Sequence, residues 1–265
     1  MNNRNTAVPM FSKAAHQKLI TQVLMLMTVL SFFALLPVVH AEEEWTYKLS
    51  PYMWFAGSEG HTGFIGDTTV PVDLSASDAL KDTSSSLMLM FDAKKQRHGV
   101  LVDLLYSDVR SDEGLMPITG NPVKSITKTT VFSLAYQYEV YKKNQTVVDV
   151  FAGIRYWSMD SEIQFGNYGQ RKVTNDETWI DPLLGVKARA AFGSSDFYVA
   201  GGLGLGGFGM GSDLFYDTNI NVGYQWTPSI GTTIGYRLYD LDYENDGFSH
   251  DATNQGWQLG LTWRL

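Results

Sequence analysis

The last nine residues, Trp257-Gln-Leu-Gly-Leu-Thr-Trp-Arg-Leu265, alternate strictly between apolar and polar or small side chains. A period of two places alternate residues on opposite faces of an extended strand. The segment therefore predicts a β-strand with one polar face and one continuous apolar face. The apolar face consists of Trp257, Leu259, Leu261, Trp263 and Leu265.

The same alternation recurs upstream, segment after segment. In residues 214–226, six of the seven even-numbered positions are apolar, whereas Phe215 is the one apolar residue at the odd-numbered positions. Segments of this kind predict ten strands, and a hairpin within residues 59–74 leaves eight or twelve as alternatives. The predicted strands are residues 45–56, 85–95, 99–109, 126–141, 146–162, 174–192, 196–208, 213–226, 230–240 and 253–265.

The chemistry of the two faces indicates which one meets lipid. The polar faces hold small residues and charges of both signs, while the apolar faces end in Tyr or Trp, as in an aromatic girdle. Hydrocarbon offers no hydrogen bonds to a free sheet edge, so such a sheet must close. We predict an all-β fold, a closed antiparallel transmembrane β-barrel formed by residues 42–265. A water-soluble sandwich, which also alternates, is the competing architecture.

Composition agrees with a barrel and excludes several classes of function. Charged residues make up 18% of the chain and aromatic residues 13%, and the sequence has no cysteine. Soluble domains usually carry about 25% charged residues. Disulfide frameworks and thiolate metal sites are excluded. The net charge of −8 also argues against a nucleic-acid partner, because phosphates need clustered Lys and Arg.

Residues 1–41 have the features of a cleaved secretory signal peptide. Lys13 and Lys18 precede an apolar stretch from Leu19 to Val39, and Val39-His-Ala41 resembles a cleavage site before Glu42. A retained membrane anchor is the alternative, since the stretch nearly reaches spanning length. Removal of this segment leaves a net charge of about −11.

The connections predict the topology. Short links at 95–99, 142–145, 193–196 and 227–229 alternate with the links 57–84, 110–125, 163–173 and 241–252, which are long and polar, and with a brief one at 209–213. In such barrels short turns face the periplasm and long loops face outward, so both chain ends are expected on the periplasmic side. Pro51 and Pro182 lack an amide donor and are expected at bulges or strand ends.

Three stretches carry a family resemblance, which covers the whole mature chain. The C-terminal ten residues from Gly256 resemble the signal that the outer-membrane assembly machinery reads, although Leu265 replaces the commoner terminal Phe. The stretches Ser50-Pro-Tyr-Met-Trp-Phe-Ala-Gly57 and Arg97-His-Gly-Val-Leu-Val-Asp-Leu-Leu-Tyr106 resemble small OmpA/OmpW-like outer-membrane barrels of Gram-negative bacteria. The resemblance implies an outer-membrane location, with contacts to lipid, lipopolysaccharide and that machinery, and no settled activity.

The predicted inward faces carry both signs of charge in nearly equal number. A network of ion pairs that fills a narrow lumen is the first interpretation, because an unpaired charge there would be costly. A selective pathway for small solutes, lined by charged rings, is the second. The network comprises Lys48, Asp92, Lys94, Asp103, Glu139, Asp149, Arg155, Asp181, Lys187, Arg189, Asp217, Arg237 and Arg264.

Three further motifs give weaker signals. Asp242-Tyr-Glu-Asn-Asp246-Gly247 begins like a calcium loop, but Thr253 stands where the required glutamate would be, so we expect no metal site. The run Gly204-Leu-Gly-Gly-Phe-Gly209 precedes no helical pattern, so a nucleotide site is not predicted. Ser249-His-Asp251 leaves a surface hydrolase as an alternative, although one adjacent triple does not establish the geometry that catalysis needs.

These observations lead to one functional expectation. The chain is expected to be an integral outer-membrane β-barrel with a structural or surface-interaction role, without enzymatic activity and without a cofactor. A narrow channel and a surface hydrolase are the alternatives.

Overall fold

A computed structural model describes residues 45–65, 68–115, 122–165, 171–245 and 247–265. The predicted signal peptide lies outside these residues. None of the helices described there is long and apolar enough to span a membrane. The elements are β1 (Thr46–Ile65), β2 (Thr68–Leu74), α1 (Ala76–Asp82), β3 (Thr83–Lys95), β4 (His98–Leu115), β5 (Pro122–Lys143), β6 (Thr146–Phe165), β7 (Arg171–Ala191), β8 (Phe197–Gly207), β9 (Leu214–Gln225), β10 (Ile230–Asn245) and β11 (Phe248–Arg264).

Ten of the described strands close into an antiparallel barrel. Each strand from β3 to β11 pairs with its neighbour in sequence, β1 pairs with β3, and β11 returns to pair with β1. The closing ladder runs from Lys48 opposite Arg264 to Gly63 opposite Ser249. The prediction of a closed barrel with ten strands is thus confirmed. The 59–74 segment does form a hairpin, but its second strand, β2, pairs with β1 alone and stays outside the ring.

The alternating apolar and polar residues of each strand form the outer and inner surfaces of the barrel wall. On β5, Leu134 and Tyr136 are exposed on the outside, whereas the next residue, Gln137, is fully buried inside. The strands of the ring carry mostly apolar side chains outward at alternate positions, for example the five from Trp257 to Leu265. That length matches the 9–11 residues that a tilted strand needs to cross a bilayer.

The long connections are largely strand rather than loop, which corrects the predicted strand ends. β4, β5, β6, β7 and β10 continue well past the apolar band, and β10 and β11 stay paired up to Asn245 opposite Phe248. Polar side chains end the contact with lipid, but backbone pairing continues in water because it does not depend on the side chains. We call the end of the barrel with these extensions the hairpin end and the other the short-turn end.

The β1–β3 ladder of the ring stops short of the hairpin end. β1 and β3 pair only from Thr46 opposite Lys94 to Pro51 opposite Leu89. Pro51 lacks an amide donor, and the β1–β11 ladder correspondingly omits pairs at Ser50 and Pro51, whereas Pro51 still pairs with Leu89 of β3. Farther up, β1 takes β2 as its partner from Ser58 onward. A Cβ at Gly57 would come within 2.8 Å of the Leu74 carbonyl oxygen, so glycine allows this close approach.

Candidate functional site in the barrel interior

Two layers of charged side chains cross the lumen within the membrane-spanning height. In the layer nearer the short-turn end, the Lys94 ammonium lies 2.6 Å from Asp149 and 3.1 Å from Glu139. Beside it, Lys187 pairs with Asp92, which also accepts a hydrogen bond from the Gln137 side chain. Strands β3, β5, β6 and β7 supply these groups, so contacts across the lumen tie distant strands together.

The second layer is centred on the Asp217 carboxylate. Arg237 donates to it through Nε and Nη2, at 2.8 and 2.7 Å, and Arg155 donates through Nη2 at 3.0 Å. Arg237 also reaches Asp103 at 3.4 Å and the Tyr52 hydroxyl at 2.9 Å. All five side chains are buried. Two guanidinium groups thus face two carboxylates, and the layer is close to neutral as a whole.

The remaining four residues of the predicted network make other contacts. Asp181 accepts hydrogen bonds from the indoles of Trp157 and Trp179, at 2.9 and 3.1 Å, rather than from a cation. Arg189 lies over the Tyr198 ring, 3.7 Å from its centroid. The other two, Lys48 and Arg264, form no ion pair among the described residues; Arg264 is exposed and lines the short-turn opening with Arg189.

The hairpin half of the lumen is apolar and aromatic, a feature that the charge pattern of the inward faces did not predict. Trp179 stacks on Tyr243 with ring centroids 3.8 Å apart, and Trp157 stacks on Trp179 at 5.6 Å. The cluster of buried residues comprises Leu105, Val131, Ala135, Trp157, Met159, Trp179, Leu183, Phe215, Tyr239, Leu241, Tyr243 and Phe248. In the sequence, this cluster could have been predicted from apolar residues at inward positions, such as Leu105 and Phe215.

The glycine run on β8 makes room for this cluster. A Cβ at Gly206 would overlap the Phe215 ring, and one at Gly204 would lie 3.3 Å from the Leu183 side chain. No helix follows the run in the structure; a turn and β9 do. The glycines therefore serve packing.

A cavity of about 530 Å³ lies above the Asp217 layer, toward the hairpin end. Arg155, Arg237 and Asp103 line it near this layer, and Trp157 and Leu105 belong to its apolar walls. Its volume falls within the range of small-molecule sites, which are mostly apolar with a few placed polar groups.

Two buried polar atoms of the cavity lining have no hydrogen-bond partner among the described residues. They are the Trp54 indole nitrogen and the Tyr239 hydroxyl oxygen. Tyr239 is only 7% exposed. Buried polar groups normally have a partner, and an unpaired one costs about 1–3 kcal/mol. Both residues line the same cavity, so its wall contains two unsatisfied hydrogen-bonding groups.

Helix α1 covers part of this cavity. Ser75 caps it by accepting from the Asp78 amide, and the helix contacts β1 and β4. Its small apolar side, Ala76, Ala79 and Leu80, lines the cavity, as the i, i+3, i+4 spacing of one helix face requires.

His250 lies higher in the same cavity, within the strand extensions. Its Nδ1 is 3.0 Å from the Thr62 hydroxyl, and burial lowers the pKa of the imidazole to about 4. Because β11 is extended here, Ser249 and Asp251 leave the strand on the opposite face. The adjacent Ser-His-Asp triple is therefore not assembled as a catalytic group.

The acidic connection folds as the upper β10–β11 ladder, with Asp242 opposite Asp251. Partial burial, together with Asp251, Asp213 and other acids, raises the pKa of the Asp242 carboxyl. Within the described residues, no three acidic or histidine side chains are grouped as metal ligands; Asp246 lies outside those residues.

The predicted assembly signal forms the outer face of β11. Trp257, Leu259 and Leu265 are 60%, 41% and 42% exposed. The Leu265 amide donates to the Tyr47 carbonyl at 3.0 Å, so the end of the chain takes part in closing the barrel.

Comparison with known proteins supports the architecture. No family model and no curated protein matches the sequence. Among solved structures, the outer-membrane protease OmpT of Escherichia coli is similar with a TM-score of 0.61 and 9% identity, over 86% of this chain and 99% of OmpT. Ail of Yersinia pestis (TM-score 0.40, 11% identity, 84% and 100% covered) and the neisserial surface protein NspA (0.33, 11%, 86% and 100%) are also matched.

At these identities the likeness shows the fold alone. The chain is a transmembrane β-barrel of the kind found in the outer membranes of Gram-negative bacteria. The finer resemblance to OmpA/OmpW-like barrels stays a prediction.

Proposed function

We propose that this protein is an outer-membrane barrel with a closed lumen, which binds a small amphiphile in its outward-facing cavity. The expected ligand has an apolar body and one oxygen that accepts hydrogen bonds. The cavity with the two unpaired groups, Trp54 Nε1 and Tyr239 OH, is the observation that supports this proposal. We assign the hairpin end to the cell exterior, because the long connections of such barrels face outward. The cavity then faces the cell surface.

The chemistry of the lining restricts the head group. The indole N–H can only donate, and the hydroxyl donates to an acceptor oxygen. Arg155 and Arg237 lie at the floor beside Asp103, in a layer that is close to neutral, and an ammonium head could not accept a hydrogen bond from either unpaired group. A carboxylate, carbonyl or hydroxyl oxygen fits better. Met88 and Met159 in the walls adapt to chains of differing shape.

Two layers of ion pairs and the packed aromatic cluster favour a closed lumen over the channel alternative. The purified protein in planar bilayers should then give no discrete conductance steps in 1 M KCl. Reproducible steps, altered in Arg155→Ala or Arg237→Ala, would support the channel for small solutes instead.

Ligand binding is tested with dodecanoate by native mass spectrometry of the detergent-solubilised barrel. We expect one molecule bound per chain, with dodecylammonium, which has the same chain length, bound more weakly. Trp54→Phe and Tyr239→Phe each remove one hydrogen bond and should weaken binding about 3- to 10-fold.

Tyr236→Phe is the matched control, because that hydroxyl lies on the outer surface. Equal binding of the anion and the cation, or no change in both cavity variants, would contradict the proposal.

A further inference from the structure

Backbone pairing between β1 and β3 has a gap beside the cavity. Above Pro51 and Leu89, residues 52–57 of β1 and 83–88 of β3 form no ladder pair with each other, although the structure describes all of them. Six residues of strand span about 20 Å at 3.3 Å per residue. We call this gap the seam. Its lower end is the Pro51–Leu89 pair, and its upper end is the start of β2 pairing at Ser58 opposite Leu74.

The seam begins within the apolar band. Strand alternation directs Phe55 and Leu87 outward. On the neighbouring strands, aromatic residues at the same height mark the end of the apolar band. The seam therefore reaches from the outer half of the hydrocarbon layer to the headgroups. Unpaired strand edges do not persist against lipid unless they line a cavity or are covered by protein.

The cavity extends into the seam. Inward residues Trp54, Met88 and Ser86 line it, but so do Met53 and Phe55, which belong to the outward face of β1. A cavity that contacts both faces of one strand passes beside that strand, and among the described strands the seam offers such a passage. The lining there is largely apolar, which suits an acyl chain better than water-soluble molecules.

We propose that the cavity is filled sideways, through the seam, by a single-chain amphiphile from the outer leaflet of the membrane. The chain would enter between Met53 and Met88, and the oxygen-bearing head would reach Trp54 Nε1 and Tyr239 OH. This inference rests on the proposed function and adds the route and the source of the ligand.

A reversible staple across the seam tests the route. The chain has no cysteine, so Met53→Cys/Leu87→Cys introduces one pair, two residues beyond the last ladder pair. Leu49→Cys/Phe91→Cys is the matched control, since those residues are already paired in the intact ladder. Where oxidation does not join the two introduced thiols of the seam variant directly, a short bis-maleimide closes the same gap.

The readout is the rate of filling in phospholipid vesicles. A dodecanoic acid with a terminal diazirine is added to the bilayer and flashed after set delays, and intact-mass spectrometry gives the fraction of barrels labelled. We expect the seam staple to slow labelling at least tenfold, reduction of the disulfide form to restore the rate, and the control staple to leave the rate unchanged.

The outcomes separate the two proposals. Equal rates with and without the seam staple overturn lateral entry but leave ligand binding standing. Absence of labelled barrels at every delay, in the unstapled protein as well, overturns both.

Discussion

Replacing Asp217 with asparagine tests how strongly the ion pairs across the lumen stabilise the barrel. Asp217 accepts three charged hydrogen bonds, from Arg155 and from both ends of the Arg237 fork. The asparagine side chain would keep one acceptor oxygen and turn an NH₂ group toward a guanidinium. Arg237 would retain Asp103 at 3.4 Å, and Arg155 would retain no ion pair with a carboxylate of the described residues.

Breaking a buried pair by removing one partner costs about 3–5 kcal/mol, because a charge stays buried without compensation. We therefore expect Asp217→Asn to lower the free energy of unfolding by about 3 kcal/mol or more. The measurement is equilibrium urea unfolding in phospholipid vesicles, followed by tryptophan fluorescence. The double variant Asp217→Asn/Arg155→Met removes one of the uncompensated cations and should recover part of the loss.

Asp176→Asn is the matched control. Asp176 is exposed on β7, opposite Asp160 on β6, so its neutralisation relieves a like-charge contact and should change stability by under about 0.5 kcal/mol. A loss below about 1 kcal/mol for Asp217→Asn would refute the reasoning, since it would mean that water screens the pairs as it does at a surface.

Three other predictions concern the interior and the closure of the barrel. Asp181→Ala removes the acceptor of two indoles and should cost about 1–3 kcal/mol; an unchanged near-ultraviolet circular dichroism spectrum would contradict this. His250 has a pKa of about 4 in the folded state and 6.5 in the unfolded state. As the pH falls from 6.5 toward 4, the unfolded state binds the proton first, so the free energy of unfolding decreases by up to about 3 kcal/mol. Unfolding at pH 7 and 4.5 checks this, and His250→Gln should reduce the difference. Gly256→Ala places a Cβ against the Phe55 carbonyl oxygen and should destabilise the β1–β11 closure by about 1–3 kcal/mol, more than Gly202→Ala does; equal refolding yields in vesicles would contradict it.

The sequence predicted the architecture because the wall of a barrel repeats one local rule. Every strand must alternate apolar and polar side chains, and that period is visible without knowing which strands are neighbours. The strand ends were less predictable. At residues 241–252, acidic side chains indicated a loop, but the β10–β11 ladder continues in water because backbone pairing needs no apolar face.

The candidate site lay largely beyond the reach of the sequence. Inward positions could be assigned by parity, and Asp217, Arg155 and Arg237 were named on that basis. Which charges meet depends on strand stagger and on which strands face each other across the lumen. Asp181 was predicted to point inward, but its partners were not predictable, because it accepts hydrogen bonds from two tryptophans rather than from a cation.

Sequence alone thus determined that the chain is a closed barrel and which side chains point inward, since strand period and the demands of hydrocarbon on the backbone are local constraints. Tertiary structure decided the two ion-pair layers, the cavity with Trp54 and Tyr239, and the seam above Pro51. Those features arise from contacts between residues far apart in the chain, whose distances are fixed only when the last strand pairs with the first.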